Sequence, residues 1–166
     1  MASAISGIFP VVITPFKDDD RIDFDGYGRL LDWYLENGAH GLFAVCQSSE
    51  MQALSLDERV ALARFTMDHV KGRIPVVASG HISDSRDDQL AELTAMAETG
   101  VDAVGLDETL DPVWAARELP AGMPVQGNLD PLLLLAGNGD LETRVRFILD
   151  ALQDRPHVFN LGHGID

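Results

Sequence analysis

Short apolar runs alternate with amphipathic stretches along the whole 166-residue chain. Runs such as Val11-Val12-Ile13 and Val76-Val77-Ala78 are apolar at consecutive positions, which is typical of strands buried on both faces of a parallel sheet. Candidate strands begin near Ile8, Leu42, Pro75, Asp102, Pro124 and His157. The intervals between them have the length of one strand plus one helix. The pattern therefore predicts an α/β fold with parallel strands and about six βα units.

The stretches between these runs have helical periodicity. One apolar stripe consists of Leu56, Val60, Ala63, Met67 and Val70, and a second of Leu141, Val145, Ile148 and Leu152. Ser55 with Glu58 three residues later is a capping-box pattern that predicts the start of the first helix. Helix ends are predicted at Asn37-Gly38, Lys71-Gly72 and Thr99-Gly100. Because no low-complexity linker interrupts this alternation, we predict one α/β domain over residues 1–166.

The number of units is too small for a complete eight-stranded barrel, which typically takes about 250 residues. Three arrangements remain open: a small closed barrel, an open doubly wound sheet, and an incomplete barrel that a second copy completes. We favour a TIM-barrel-like assembly, shortened or incomplete, with the first strand near the sixth. An open barrel exposes two sheet edges, and free edges favour pairing with another chain. A homodimer through these edges is therefore an expectation.

The net charge and the cysteine content indicate which binding partners and which cellular compartment to expect. The chain has 27 acidic against 12 basic residues and a net charge of −15. Such a surface repels phosphate backbones and anionic lipids, so neither nucleic-acid nor membrane partners are expected. Cys46 is the single cysteine, which excludes an intramolecular disulfide and fits a reducing compartment. No secretory signal or membrane span can be identified, so we expect a cytoplasmic protein.

The first hundred residues contain a recognisable series of motifs. Segments 7–16, 37–42, 48–50, 54–59 and 72–78 read GIFPVVITPF, NGAHGL, SSE, LSLDER and GRIPVVA. In this order they resemble the dihydrodipicolinate synthase / N-acetylneuraminate lyase family. The resemblance implies a (βα)8 barrel in which a Schiff-base lysine on a late strand activates pyruvate or a related keto acid.

The remaining residues resemble a different family. Segments 104–107, 126–131 and 159–165 read VGLD, QGNLDP and FNLGHGI, and look like the last three strands of the uroporphyrinogen decarboxylase family. That family is also a (βα)8 barrel and acts without a cofactor on acetate side chains of a tetrapyrrole. The two resemblances indicate a chimera of residues 1–101 and 102–166, with the junction near 99–106. An engineered recombination is the favoured origin, and a natural fusion is the alternative.

Neither family's chemistry is expected to survive intact. Lys17 and Lys71 lie in an acidic loop and at a helix end, so both are interpreted as surface residues and Schiff-base catalysis is not expected. The resemblance places 47–50 at the first family's carboxylate-binding turn, where Ser48 and Glu50 match and Ser49 replaces a glycine. A small carboxylate is therefore a candidate ligand. The alternative is that the two serines only satisfy the loop backbone.

The second resemblance aligns His163 with a substrate-contacting histidine, but the early-strand arginines and aspartate of that family are absent. Position along the chain adds further candidates, because polar residues that follow strands meet at the carboxyl-terminal rim of a parallel barrel. Together the ligand-binding candidates are Ser48, Ser49, Glu50, His81, Asp107, Asn128 and His163. Their spacing matches no metal-ligand motif, and no glycine-rich phosphate loop is present, so neither a metal nor a cofactor is expected.

These observations favour a barrel-type scaffold assembled from lyase-family segments, without a complete catalytic set. The alternative is a lyase that acts on a small carboxylate or keto acid through the rim residues.

Overall fold

The computed structural model describes residues 6–137 and 139–164. The strands are β1 (Leu42–Phe43), β2 (Val76–Ala78), β3 (Ala103–Gly105), β4 (Val125–Leu129) and β5 (His157–Leu161). The helices are α1 (Phe24–Glu36), α2 (Leu56–Val70), α3 (Arg86–Ala97), α4 (Pro112–Glu118), α5 (Pro131–Ala136) and α6 (Asp140–Ala151). Two short 3-10 turns, Gln47–Ser49 and Met51–Ala53, connect β1 to α2.

The five strands form one parallel sheet in the order β1-β2-β3-β4-β5, which confirms the predicted α/β fold. Five of the six predicted strands are therefore present. The first predicted strand is reduced to a parallel bridge between Val11 and Phe43. The Val12 N–H donates to the Phe43 carbonyl at 2.9 Å, and the Phe43 N–H donates to the Pro10 carbonyl at 3.0 Å.

The sheet is a curled half-barrel, an incomplete version of a TIM barrel. One edge is formed by residues 8–13 and the other by β5. Within the described ranges no backbone ladder joins these two edges, so the first strand does not pair with the sixth. The physical reason is the strand count, because closure with the usual tilt and shear needs about eight strands for a barrel of this kind.

The core lies between the convex face of the sheet and the helices. Every residue of β2 and β3 is buried, as expected for strands covered on both faces. The largest fully buried side chains include Tyr27, Leu31, Leu62, Leu93, Met96 and Ile148. In β5 all five residues are half-buried or exposed, because this strand has a neighbour on one side only.

Several local signals act as the sequence predicts. The Ser55 hydroxyl accepts the Glu58 N–H, and the Glu58 carboxylate accepts the Ser55 N–H at 2.9 Å, which completes the capping box of α2. Gly38 and Gly100 have the positive φ that a helix end requires. Asp130 caps α5, as expected for the turn of segment 126–131. No helix in the described part of the chain is long and apolar enough to cross a bilayer.

Candidate functional site

The carboxyl ends of the strands border an open cavity of about 1100 Å³, which we call the rim cavity. Its apolar lining comes from the concave face of the half-barrel, with Phe9, Val11, Phe43 and Val158 among the lining residues. Its polar lining comes from the loops after the strands. Parallel strands bring these loops to one side of the sheet, so residues far apart in sequence share one cavity.

The structure divides the sequence-predicted candidates into two groups. Ser48, His81, Asp107 and His163 line the rim cavity, whereas Ser49, Glu50 and Asn128 are not among its lining residues. Glu50 is an exposed turn residue with a φ of 60°.

Ser49 has a structural role. Its hydroxyl donates to the Val12 carbonyl at 2.7 Å, and its own carbonyl accepts the Thr14 hydroxyl at 2.7 Å. The side chain is fully buried. Ser49 therefore ties the turn after β1 to the first segment of the chain, as the backbone-satisfying alternative predicts for this residue.

His81 and Asp107 form a pair across the ends of β2 and β3. His81 is 1% exposed, and its Nε2 lies 3.3 Å from Asp107 Oδ2. Burial alone would raise the pKa of Asp107, but hydrogen bonds from His81 and Thr109 outweigh it and lower this pKa to about 2. The Asp107 carboxylate is therefore ionised at neutral pH and orients the buried imidazole.

A second imidazole–carboxylate pair lies beside the first. His163 Nε2 is 3.1 Å from Glu108 Oε1, and both residues line the rim cavity. The sequence reasoning missed Glu108. Its signal was its place directly after Asp107 at the end of β3, where two consecutive acidic residues enter the rim.

Asn128 supports the turn that carries both acidic residues. Its Nδ2 donates to the Asp107 carbonyl at 3.0 Å and to the Leu110 carbonyl at 2.7 Å, and the side chain is fully buried. Among the described residues, three buried side-chain polar atoms lack a hydrogen-bond partner: His81 Nδ1, Glu108 Oε2 and Asn128 Oδ1. All three belong to this cluster around residues 107 and 108.

A buried ion pair between two helices holds the loop that carries His81, and sequence reasoning also missed this pair. Arg59 Nη2 lies 3.0 Å from Glu92 Oε1, and the side chains are 4% and 6% exposed. Arg59 also donates to the Gly80 carbonyl. Glu92 accepts the Ile82 N–H at 2.9 Å and the Ser83 hydroxyl at 3.1 Å. Both partners lie inside helices, where a charged residue normally indicates a solvated face, so no sequence signal marked them.

The cavity also has a cationic and an acidic side chain near its mouth. Arg86, at the start of α3, and Asp84, just before it, are both exposed and line the cavity. Lys17 and Lys71 are exposed and do not line it. In the described ranges no group of three or more potential ligands could hold a metal ion.

Two family models match the chain. The model of the dihydrodipicolinate synthetase family matches residues 4–106, and that of uroporphyrinogen decarboxylase matches residues 58–166. Uroporphyrinogen decarboxylases from Novosphingobium aromaticivorans and Erythrobacter litoralis are 71% and 66% identical over 75 and 77 residues. These alignments cover 45% and 46% of this chain, and 22% and 23% of the relatives. The chain thus spans about a fifth of the curated relatives it matches.

Solved structures of the other family share the fold. A dihydrodipicolinate synthase from Aquifex aeolicus superposes with a TM-score of 0.68 at 16% identity, covering 94% of this chain and 63% of that one. One from Bacillus clausii gives a TM-score of 0.58 at 27% identity, covering 94% and 45%. The chain therefore belongs to the dihydrodipicolinate synthetase family through residues 4–106 and to the uroporphyrinogen decarboxylase family through residues 58–166.

Proposed function

We propose that this chain is a chimeric half-barrel scaffold that binds a small carboxylic acid in its rim cavity and lacks a complete catalytic set of either family. The observation that carries the proposal is the composition of the cavity lining, which contains Ser48 and Arg86 but neither lysine. An engineered junction near residues 99–106 is the favoured origin. The two family models overlap over residues 58–106, and the proposed junction lies at the end of that overlap, where the first family's model stops. The buried free thiol of Cys46 fits the reducing cytoplasm.

The lack of Schiff-base chemistry follows from where the lysines lie. A Schiff-base lysine needs an amine that desolvation or a neighbouring charge keeps unprotonated. Lys17 and Lys71 are exposed and lie outside the cavity lining, so neither amine is buried or placed to reach a ligand in the cavity. Incubation with pyruvate and borohydride should leave the intact mass unchanged. A covalent adduct on either lysine would overturn this part of the proposal.

Carboxylate binding is assigned to Ser48 and Arg86, which follow the neighbouring strands β1 and β2 and both line the cavity. Both side chains are exposed, so the guanidinium and the hydroxyl are free to reach a ligand. Arg86→Ala should weaken benzoate or pyruvate binding in a calorimetric titration. Arg64→Ala is the matched control, since Arg64 is an exposed helical arginine outside the cavity lining. Equal affinity in the two variants would contradict the assignment.

The alternative, a lyase acting through the rim residues, is favoured by one observation: His81 and His163 both line the cavity next to carboxylates. A screen for decarboxylation or retro-aldol cleavage of small keto acids tests it. Turnover that His163→Ala abolishes would replace the scaffold proposal with an enzymatic one.

The scaffold is also proposed to form a homodimer through its open sheet edges. Ten large hydrophobic side chains are at least 38% exposed on the elements beside these two edges. They are Ile8, Ile13, Phe16 and Trp33 at the first edge, and Leu132, Leu134, Leu135, Phe147, Leu149 and Phe159 at the last. A twofold axis along the strands would join the first edge of each copy to the last edge of its partner, so the ring would close without further free edges.

Light scattering tests this assembly. The expected mass is about twice the 18.0 kDa of the chain, and Leu135→Glu should reduce it to that of one chain. Val113→Glu is the control, because Val113 is 48% exposed on α4, away from both edges. A monomeric wild-type protein at micromolar concentration would contradict the proposal.

A further inference from the structure

We propose that Glu92 is a positioning residue for the carboxylate site: it holds the loop between β2 and α3 so that Asp84 does not pair with Arg86, and the guanidinium stays available to a ligand. This inference rests on the proposed carboxylate binding at Ser48 and Arg86. Glu92 does not line the rim cavity, so it acts on a ligand only through this loop, residues 79–85, which we call the β2–α3 loop.

The Glu92 carboxylate accepts three hydrogen bonds from the β2–α3 loop. The donors are the Ile82 N–H at 2.9 Å, the Ser83 N–H at 3.2 Å and the Ser83 hydroxyl at 3.1 Å. Burial alone would raise the pKa of Glu92, but hydrogen bonds from Ile82, Arg59 and Ser83 outweigh it and lower this pKa. Hydrogen bonds to an ionised acceptor are stronger than those between neutral groups. The loop therefore depends on one charged side chain of α3 for its position.

Asp84 follows directly in this loop, and anchored residues flank it on both sides. The Ser83 carbonyl accepts the Gln89 side-chain N–H at 2.8 Å, and the Ser85 hydroxyl caps α3. The backbone before and after Asp84 is thus fixed relative to this helix. Arg86 is the first residue of α3, so the same anchors set the separation between the carboxylate and the guanidinium.

Arg86 has no ion-pair partner among the described residues, although Asp84 precedes it by two positions. The same spacing does pair elsewhere in the chain, since Arg21 Nη2 lies 2.6 Å from Asp19 Oδ2. Asp84 and Arg86 are both exposed and both line the rim cavity, so neither burial nor chain distance keeps them apart. We attribute the difference to the anchoring of the loop by Glu92.

Release of the loop would make Asp84 a competitor of the ligand. Ile82 is exposed and Ser83 is half-buried, so their N–H groups can bind water once the Glu92 carboxylate is removed. The Asp84 carboxylate is then free to reach the Arg86 guanidinium that a bound carboxylate needs. An exposed ion pair changes an equilibrium constant by up to about fivefold, so the expected loss of ligand affinity is about two- to fivefold.

The double variant Arg59→Met/Glu92→Met separates positioning from stability. It removes the loop acceptor without leaving an unpaired buried charge, so most of the stability lost in Glu92→Met should return. Benzoate affinity should not return with it. In titration calorimetry on the full chain, the double variant should bind benzoate about two- to fivefold more weakly than the wild type. Without ligand, its Ile82 and Ser83 amide protons should exchange faster.

The substitution Asp84→Asn identifies the competitor. Added to the double variant, it should restore benzoate affinity to the wild-type value, because an amide does not form an ion pair with Arg86. In the wild-type background it should change the affinity less, since the anchored loop already keeps the carboxylate away. If the double variant does not fold, Ser83→Ala replaces it, because this change removes one loop donor and leaves the buried ion pair in place.

The matched control for the double variant is Arg146→Met/Glu142→Met, an exposed pair on α6 outside the cavity lining, which should leave benzoate affinity unchanged. Weaker benzoate binding that Asp84→Asn restores supports the inference. Wild-type affinity in the Arg59→Met/Glu92→Met variant overturns it and leaves the carboxylate site intact, as does weaker binding that Asp84→Asn does not restore. A wild-type protein that does not bind benzoate refutes the carboxylate site itself, and the inference with it.

Discussion

The buried pair between Arg59 and Glu92 is the interaction whose removal should change stability most. Its charged atoms lie 3.0 Å apart, and both side chains are almost completely excluded from solvent. The pair also anchors the loop after β2, because Arg59 donates to the Gly80 carbonyl and Glu92 accepts the backbone N–H groups of Ile82 and Ser83. The substitution Glu92→Met removes all of these acceptor interactions and leaves the guanidinium buried without a counter-charge.

The magnitude follows from the cost of an uncompensated buried charge. Breaking a buried pair by removing one partner typically costs about 3–5 kcal/mol, whereas replacing both partners by apolar residues costs much less. Glu92→Met should therefore destabilise the fold by about 3–5 kcal/mol. In the double variant Arg59→Met/Glu92→Met the loss should be smaller than in Glu92→Met alone, because no unpaired charge remains.

Urea unfolding of the two single variants and the double variant measures this as a double-mutant cycle. The matched control is the exposed pair Arg146–Glu142 on α6, 2.7 Å apart with side chains 72% and 74% exposed. Its removal should change the unfolding free energy by no more than about 0.5 kcal/mol. Additive single losses at Arg59 and Glu92, or a loss no larger than that of the control, would refute the reasoning.

Three further predictions concern the candidate site and the loop and helix end next to it. The folded-state pKa of Asp107 is about 2, below its ordinary value. The ionised carboxylate therefore stabilises the fold at pH values above the ordinary pKa, and this stabilisation is lost as the pH falls toward about 2. Asp107→Asn should flatten the acid-unfolding curve, followed by circular dichroism, over that pH range. Gly162→Ala should cost about 1–3 kcal/mol in urea unfolding, because its Cβ overlaps Glu108, whereas Gly139→Ala, with open space around its Cβ, should be neutral. Asp130→Ala should cost about 1 kcal/mol through loss of the α5 cap, and an unchanged melting temperature would contradict that role.

The strands and helix ends could be predicted because their signals are local. Consecutive apolar residues located β2 and β3, and the capping box located the start of α2. The buried face of α2 was only partly predicted. The structure buries Arg59 and Thr66 in this helix beside the expected Ala63 and Val70, because polar partners on the neighbouring helices α3 and α1 satisfy them. A search for apolar periodicity considers only apolar side chains. It therefore cannot identify a charged residue that is buried because it pairs with an opposite charge on another helix.

The length of the first strand could not be predicted from its composition. Residues 8–13 are as apolar as β2, yet they form a single bridge with Phe43. In the described ranges this segment has a neighbour on one side only, so its other side lies at an open edge of the sheet. Ile8 and Ile13 consequently remain 69% and 57% exposed. Sheet closure is a property of the whole strand count, and no local pattern encodes it.

The pairing at the rim illustrates why the resemblances did not identify the whole site. His81 and Asp107 follow two neighbouring strands, β2 and β3, and the register Val77↔Ala103 brings the ends of these strands together. The Val76 N–H donates to the Asp102 carboxylate at 2.8 Å between the same two strands. His81 and Asp107 both lie within residues 58–166, which one family model matches, but only Asp107 falls in a motif that carried a resemblance. A motif is a local run of residues and does not report which run lies beside it in the sheet. The His81–Asp107 pair follows instead from strand order and register.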